Sequence, residues 1–312
     1  MLSRLGGRNH TVEFARVRLR ALREFFVDAG HGRRLAAAET GDPLGVPVVF
    51  HHGTPGSRWA HNLTDAAVSG ARVIVYDRPG YGTSTRDRGR RISSCAADVR
   101  AIADSLGIDE FAVFGSSGGG PHALACGALL GERVTHIGVV AGFAPADDHE
   151  LDFFAGMSAL NIDEFRAAAA GEKQLTELLQ EFAATAGDPD TMLDEIAAEL
   201  SEADRIALGR PEVRAVFREA IGASIRHGAD GWIDDDLAFV AAWGFSTRDI
   251  RQPTLLMQGE HDVLVPRGHM AYLARTIPTA RLDIVVGGGH TLFDETRDVL
   301  DWIRATPPVA PS

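Results

Sequence analysis

The stretch "FGSSGGGPHALACG" (residues 114–127) decides how the chain is read. An apolar run, "FAVF" (111–114), leads into it, and a helix-like run, "HALACGALL" (122–130), leaves it. Between them Gly115, Ser117 and Gly119 make the pattern G-x-S-x-G with Ser117 at its centre. That pattern sets a serine on a sharp strand-to-helix turn, where side chains at the two flanking positions would collide across the turn. Ser116 does not fit, because Phe114 stands where a small residue is required. Ser117 is therefore the candidate nucleophile.

The alternation seen around the turn runs through most of the chain. Short apolar runs occur at 25–30, 33–41, 47–53, 72–77, 111–116 and 136–142, and again at 253–262 and 281–290. Helical spacing appears at Cys95–Leu106 and His122–Leu130, then at His269–Thr276 and Thr296–Arg304. Continuous apolar strands alternating with helices predict an α/β fold whose mainly parallel sheet is covered on both faces. Residues 143–236 break this order. They show helical periodicity with almost no strand signal, and they hold 22 acidic residues against seven basic. They read as a helical cap inserted between two parts of a core, 25–142 and 237–306. An N-terminal extension over 1–24 and a tail over 307–312 complete the division.

Composition narrows the function. The 312 residues carry a formal charge of −12, which argues against nucleic acid or an anionic membrane surface as partner and leaves a small-molecule substrate. Two cysteines, Cys95 and Cys126, make no disulfide framework, so a reducing, cytoplasmic setting is expected. No apolar run approaches the roughly 18 residues that span a bilayer. Arg4, Arg8, Arg16, Arg18 and Arg20 have no apolar stretch behind them, unlike a secretory signal. The twelve histidines include no His-Glu-x-x-His spacing and no Cys/His cluster, so no metal or other cofactor is implied. Oligomeric state leaves no trace in the sequence.

A serine hydroxyl is a weak nucleophile and needs a base held by a third group. After Ser117, "LLMQGEHDVLVP" carries Asp262 just beyond a strand, and "VVGGGHTLF" carries His290 beyond the last one. Loops at the carboxyl ends of parallel strands share one rim of the sheet, so the three residues can converge. His290 would take and return the serine proton, and Asp262 would hold its tautomer. Asp147, near the end of the sixth run, is the rival acid. Backbone amides at Thr54, in the loop "HHGTPGS" (51–57), and at Gly118 would form the oxyanion hole.

With "HHGTPGS", "DRPGYGTS" (77–84), "GSSGG", "GEHDVLVP" and "GGGH" in this order, the chain resembles the α/β-hydrolase superfamily, in its capped serine-hydrolase, esterase-like branch. The resemblance implies eight strands, the second antiparallel, with the cap inserted after the sixth. The first loop also resembles that of epoxide hydrolases and haloalkane dehalogenases, which use an aspartate where this chain has Ser117. Esters, thioesters, lactones and amides all suit such a site. Three alternatives stay open: an aminopeptidase similar to proline iminopeptidases, whose caps hold a substrate amine with carboxylates; a carbon–carbon bond hydrolase; and a non-catalytic ligand receptor. The usual tryptophan after the serine of those aminopeptidases is absent here.

Other conspicuous residues read as structural. Asp77 tethers the turn that follows it. His51 and His52 support their loop, His122 lies on a helix, and Cys126 is helix packing. "GWIDDDL" (231–237) reads as a solvated helix start, its aspartates favourable at the N-terminal dipole, with a grip on a substrate amine as the rival reading. The acidic residues of the cap would then solvate its outer faces. Phe153, Phe154, Met157, Leu160, Phe239 and Trp243 would line an apolar inner face.

Overall fold

The computed structural model describes residues 22–63, 70–186 and 188–307. The extension expected over 1–24 and the tail expected over 307–312 fall outside these residues except for 22–24 and 307. One sheet is built from β1 (Arg23–Asp28), β2 (Arg34–Gly41), β3 (Val46–His51), β4 (Ala71–Tyr76), β5 (Phe111–Ser116), β6 (Val134–Val140), β7 (Thr254–Gly259) and β8 (Ala280–Val285). Their spatial order is β1-β2-β4-β3-β5-β6-β7-β8. β2 runs antiparallel to both neighbours, and every pairing from β4 to β8 is parallel. The expected architecture is the one observed.

Strand alternation explains why the central runs are apolar at every position. Val73 and Val75 of β4 pack on one face with Val48, Phe50 and Phe114. Ile74 and Tyr76 pack on the other with Val49 and Val113. Both faces are dry, so neither can be polar. α1 (Cys95–Ser105) and α2 (Gly119–Leu130) cover the second face. α2 begins three residues before the helical spacing suggests, because three of its first-turn positions are Gly119, Gly120 and Pro121. A proline in the first turn lacks only an N–H that has no partner inside the helix.

Between β6 and β7 the described residues form six α-helices, α3 (Ala159–Ala170), α4 (Glu172–Ala186), α5 (Pro189–Glu199), α6 (Glu202–Leu208), α7 (Pro211–Ile225) and α8 (Asp230–Val240). Their starts carry local signals. Ser158, Asp188 and Ser201 cap α3, α5 and α6 with side-chain oxygens, and Pro189 and Pro211 occupy first-turn positions. α8 continues past residue 236 and ends at Val240. α9 (Arg267–Thr276) and α10 (Thr296–Ala305) return to the sheet, α9 on the face of α1 and α10 on the opposite one. The carboxyl ends of β3, β4, β5, β7 and β8 lead directly into the loops that carry the candidate residues.

Candidate active site

Ser117 follows β5 with φ 53°, in the left-handed region that a residue with a side chain seldom enters. Such a conformation costs on the order of 1–3 kcal/mol and persists where its surroundings fix it. Here the Ser117 N–H donates to the Val140 carbonyl (2.8 Å), and the Gly120 N–H donates to the Ser117 carbonyl (2.9 Å). A Cβ at Gly115 would overlap the Gly119 carbonyl across the turn, as the pattern requires. Gly119 is small for a different reason. A Cβ there would strike the carbonyls of His51 and His52 at the end of β3.

Asp262 and His290 meet at the same rim. Asp262 Oδ2 lies 2.9 Å from His290 Nδ1. The carboxylate is fixed before it meets the ring: Oδ1 accepts the N–H groups of Leu264 and Val265 (both 2.9 Å), and Gln258 Nε2 donates to Oδ2 (2.9 Å). Burial disfavours an imidazolium at His290, but the charges of Asp262 and then Asp204 outweigh it and raise the ring's pKa. The rival acid, Asp147, is exposed.

The third expected component lies alongside. A Cβ on Gly118 would overlap the Thr54 side chain, and one on Gly53 would touch the Ser117 side chain, so the 52–57 loop packs directly on the serine turn. Among the described residues neither the Thr54 nor the Gly118 amide donates a hydrogen bond.

What holds this loop escaped the sequence reading. Thr54 Oγ1 donates to Asp235 Oδ2 (2.7 Å), and Asp235 belongs to α8. Arg78 donates to the same carboxylate (2.5 Å), to Thr54 Oγ1 (3.0 Å) and to the carbonyls of His52 (2.5 Å) and Gly53 (3.0 Å). Arg90 (2.6 Å) and the Tyr81 hydroxyl (2.9 Å) bond the same carboxylate, and His122 Nε2 lies 3.7 Å from it. Burial opposes the charge on Asp235, yet Arg78 and Arg90 hold its pKa well below the usual carboxylate range. Beside it, Asp234 takes a two-pronged pair from Arg86 (2.8 Å each).

The expectation of a solvated start at 231–237 is therefore corrected: Asp234, Asp235 and Asp236 are all buried. Arginines of the loop after β4 lie against α8 and supply the charges that make burial of Asp234 and Asp235 tolerable, whereas Asp236 faces Glu164 with its pKa raised. The readable signal was the company of the acidic triplet. "DDD" stands between "GWI" and "LAFV", and the "DRPGYGTSTRDRGRR" loop offers five arginines.

The structural readings of the other residues hold. His52 Nδ1 bonds the Gly53 carbonyl (2.7 Å), and His122 Nδ1 bonds that of Gly118 (2.9 Å). His51 is buried, and burial together with Arg78 lowers its pKa to about 3. Cys126 sits 3.9 Å from Cys95, sulfur to sulfur. Asp77 accepts the Arg58 N–H (2.6 Å) and pairs with the Arg58 side chain, so it ties two loops together. Among the described residues no group of three or more His, Cys, Asp or Glu side chains could hold a metal, and no helix is long and apolar enough to cross a membrane.

Ser117 and His290 open into one cavity of about 270 Å³, roofed by residues of α3 to α8. Leu160 and Phe239 line it as expected, joined by Phe165, Leu179, Leu193 and Phe217. Phe153, Met157 and Trp243 do not line it; they are buried in the main core, with Phe154 packed at its margin. The segment before α3 turns down onto the sheet, where Phe153 meets Phe143 and His269. One wall is polar. Glu164 accepts from Trp232 Nε1 (2.7 Å) and faces Asp236, and burial raises both carboxyls, with Asp236 well above its ordinary value.

The α/β-hydrolase fold family matches residues 46–296, and the chain belongs to it. It is 28% identical to a proline iminopeptidase of Neisseria meningitidis over 280 residues, covering 82% of this chain and 86% of that one. A putative carbamate hydrolase of Azorhizobium caulinodans is 27% identical over 260 residues, covering 82% and 89%. Among solved structures, a thermophilic esterase from Thermogutta terrifontis superposes with a TM-score of 0.64 at 22% identity, covering 91% of this chain and 96% of that one. The protein is a hydrolase of this fold.

Proposed function

We propose that the protein is a serine hydrolase that cleaves a small ester, thioester, lactone or amide through an acyl-enzyme. The observation that carries this reading is the Asp262–His290 hydrogen bond, with His290 lining the same cavity as Ser117. Substrate enters beneath the inserted helices, which act as a cap. His290 takes the Ser117 proton as the serine oxygen attacks the carbonyl, and the Thr54 and Gly118 amides bind the oxyanion. The imidazolium, stabilised by Asp262, returns the proton to the leaving group. Water then repeats the sequence and frees the acid. No cofactor takes part. The test is labelling with a fluorophosphonate, read by intact mass: one adduct, lost in Ser117→Ala, supports the reading, and an adduct that survives in Ser117→Ala overturns it.

The Glu164–Asp236 pair favours a second reading, a substrate bearing an amine. An ammonium beside the pair would draw off its proton and be held by a charge-assisted contact of roughly 1.5–3 kcal/mol. The proline iminopeptidase relative is consistent with it. A p-nitrophenyl ester compared with prolyl and alanyl p-nitroanilides decides between the two: faster anilide turnover establishes the amine substrate, and faster ester turnover removes it.

A further inference from the structure

Asp204, on α6 of the inserted helices, is 87 residues from its partner Thr291 and has no part in the chemistry above. Its carboxylate is fully buried. Oδ1 accepts the Thr291 N–H (2.6 Å), and the Ser201 hydroxyl holds Oδ2 (2.6 Å). Gly289 exists to admit it, since a Cβ there would overlap the carboxylate. Other contacts join this corner to the histidine loop. Leu200, Leu208 and Val213 pack on Phe293, and Arg210 pairs with Asp294 (2.6 Å).

We infer that Asp204 is a positioning residue, a carboxylate from the inserted helices that fixes the His290 loop by its backbone and places a second negative charge behind the imidazole. The inference rests on His290 being the base. Of the charged groups that face His290, Asp262 comes from the loop after β7 and Asp204 from α6, and both favour the protonated ring. Two negative charges from separate segments make the base's protonation depend on the inserted helices being seated. Residues that hold a catalytic group through its backbone act on rate, because small displacements of the reacting atoms are costly.

The experiment measures the second-order rate of Ser117 labelling by a fluorophosphonate against pH, which needs no knowledge of the substrate. Asp204→Asn keeps an acceptor for the Thr291 N–H but removes the charge. It should move the acid limb of the profile to lower pH and leave the plateau within a few-fold of the parent. Asp204→Ala removes both and should lower the plateau roughly 10- to 100-fold. An NMR titration of the His290 ring should follow the same downward shift in Asp204→Asn, an effect that loosened packing would not produce. If Asp204→Asn labels with the parent's acid limb and ring titration, the inference fails. If His290→Ala labels at the parent rate with the same limb, the assignment of the base fails instead, and the two failures are distinct.

Discussion

Ser117 and Ser116 are adjacent, yet the backbone gives them different work. Ser116 is the last residue of β5, paired with Val140, whereas Ser117 carries the left-handed φ that turns its hydroxyl off the strand. Ser116→Ala should therefore retain most fluorophosphonate labelling, while Ser117→Ala loses it. A block by Ser116→Ala alone would move the nucleophile by one residue. Asp262 turns one oxygen to the imidazole and the other to the backbone of its own loop. Asp262→Asn keeps the volume but offers Nδ1 a group that cannot hold the same tautomer. Turnover of a p-nitrophenyl ester should fall on the order of 10⁴-fold with the thermal midpoint little changed. Near-normal turnover would return the role to another acid. These residues were legible because each stands just past an apolar run, where a strand must end, and glycines mark the turn. Asp204 was not, because a buried carboxylate that bonds a backbone 87 residues away looks, in sequence, like any acidic residue on a helix.

α8 shows what a local reading of an element leaves out. Asp234, Asp235 and Asp236 lie past its first turn, where the dipole has faded, and even at a terminus the dipole contributes only about 0.3–1 kcal/mol, too little to bury a charge. Arg78, Arg86 and Arg90 decide the place of Asp234 and Asp235, while Asp236 faces Glu164, and a pairing across some 150 residues has no periodicity to betray it. The sheet, by contrast, was legible to within a few residues per strand, since dry faces force continuous apolar runs. Phe153, Met157 and Trp243 were misplaced for the same reason that α8 was. Apolarity shows that a residue is covered, and it does not say whether the cover is the cavity or the core. The Asp235 network yields a stability prediction. Asp235→Ala leaves Arg78 and Arg90 buried beside a missing charge and should cost about 3–5 kcal/mol in urea unfolding. The exposed Asp104, paired with Arg133 at 2.7 Å, provides the contrast: Asp104→Ala should change stability by less than about 1 kcal/mol. Equal effects at the two positions would mean that α8 does not depend on its buried charge.

At the scale of the molecule, burial has set many titrations away from their ordinary values, and their signs can be summed. His51 is held at about 3 and His269 at about 4, and His52, His122 and His136 are lowered as well; burial is the first cause for all five. The unfolded chain titrates them near about 6.5. As pH falls through that value the unfolded state takes up protons that the folded state refuses, so stability falls, by about 1.4 kcal/mol per pH unit for each net proton. His290 acts in the other sense, since its raised pKa lets the folded state bind first. Carboxyls raised by burial, Asp77, Asp98, Asp234 and Asp236 among them, also oppose the loss, and they do so increasingly toward their own ordinary range near about 4. Between about pH 7.5 and 5.5, where unfolded imidazoles titrate, five lowered histidines stand against one raised, His290. The urea midpoint should drop over that interval while the slope of the unfolding transition stays constant, because the buried surface does not change. A midpoint that held level or rose would mean that these imidazoles carry protons inside the fold, His51, His52 and His122 among them beside the charge of Arg78.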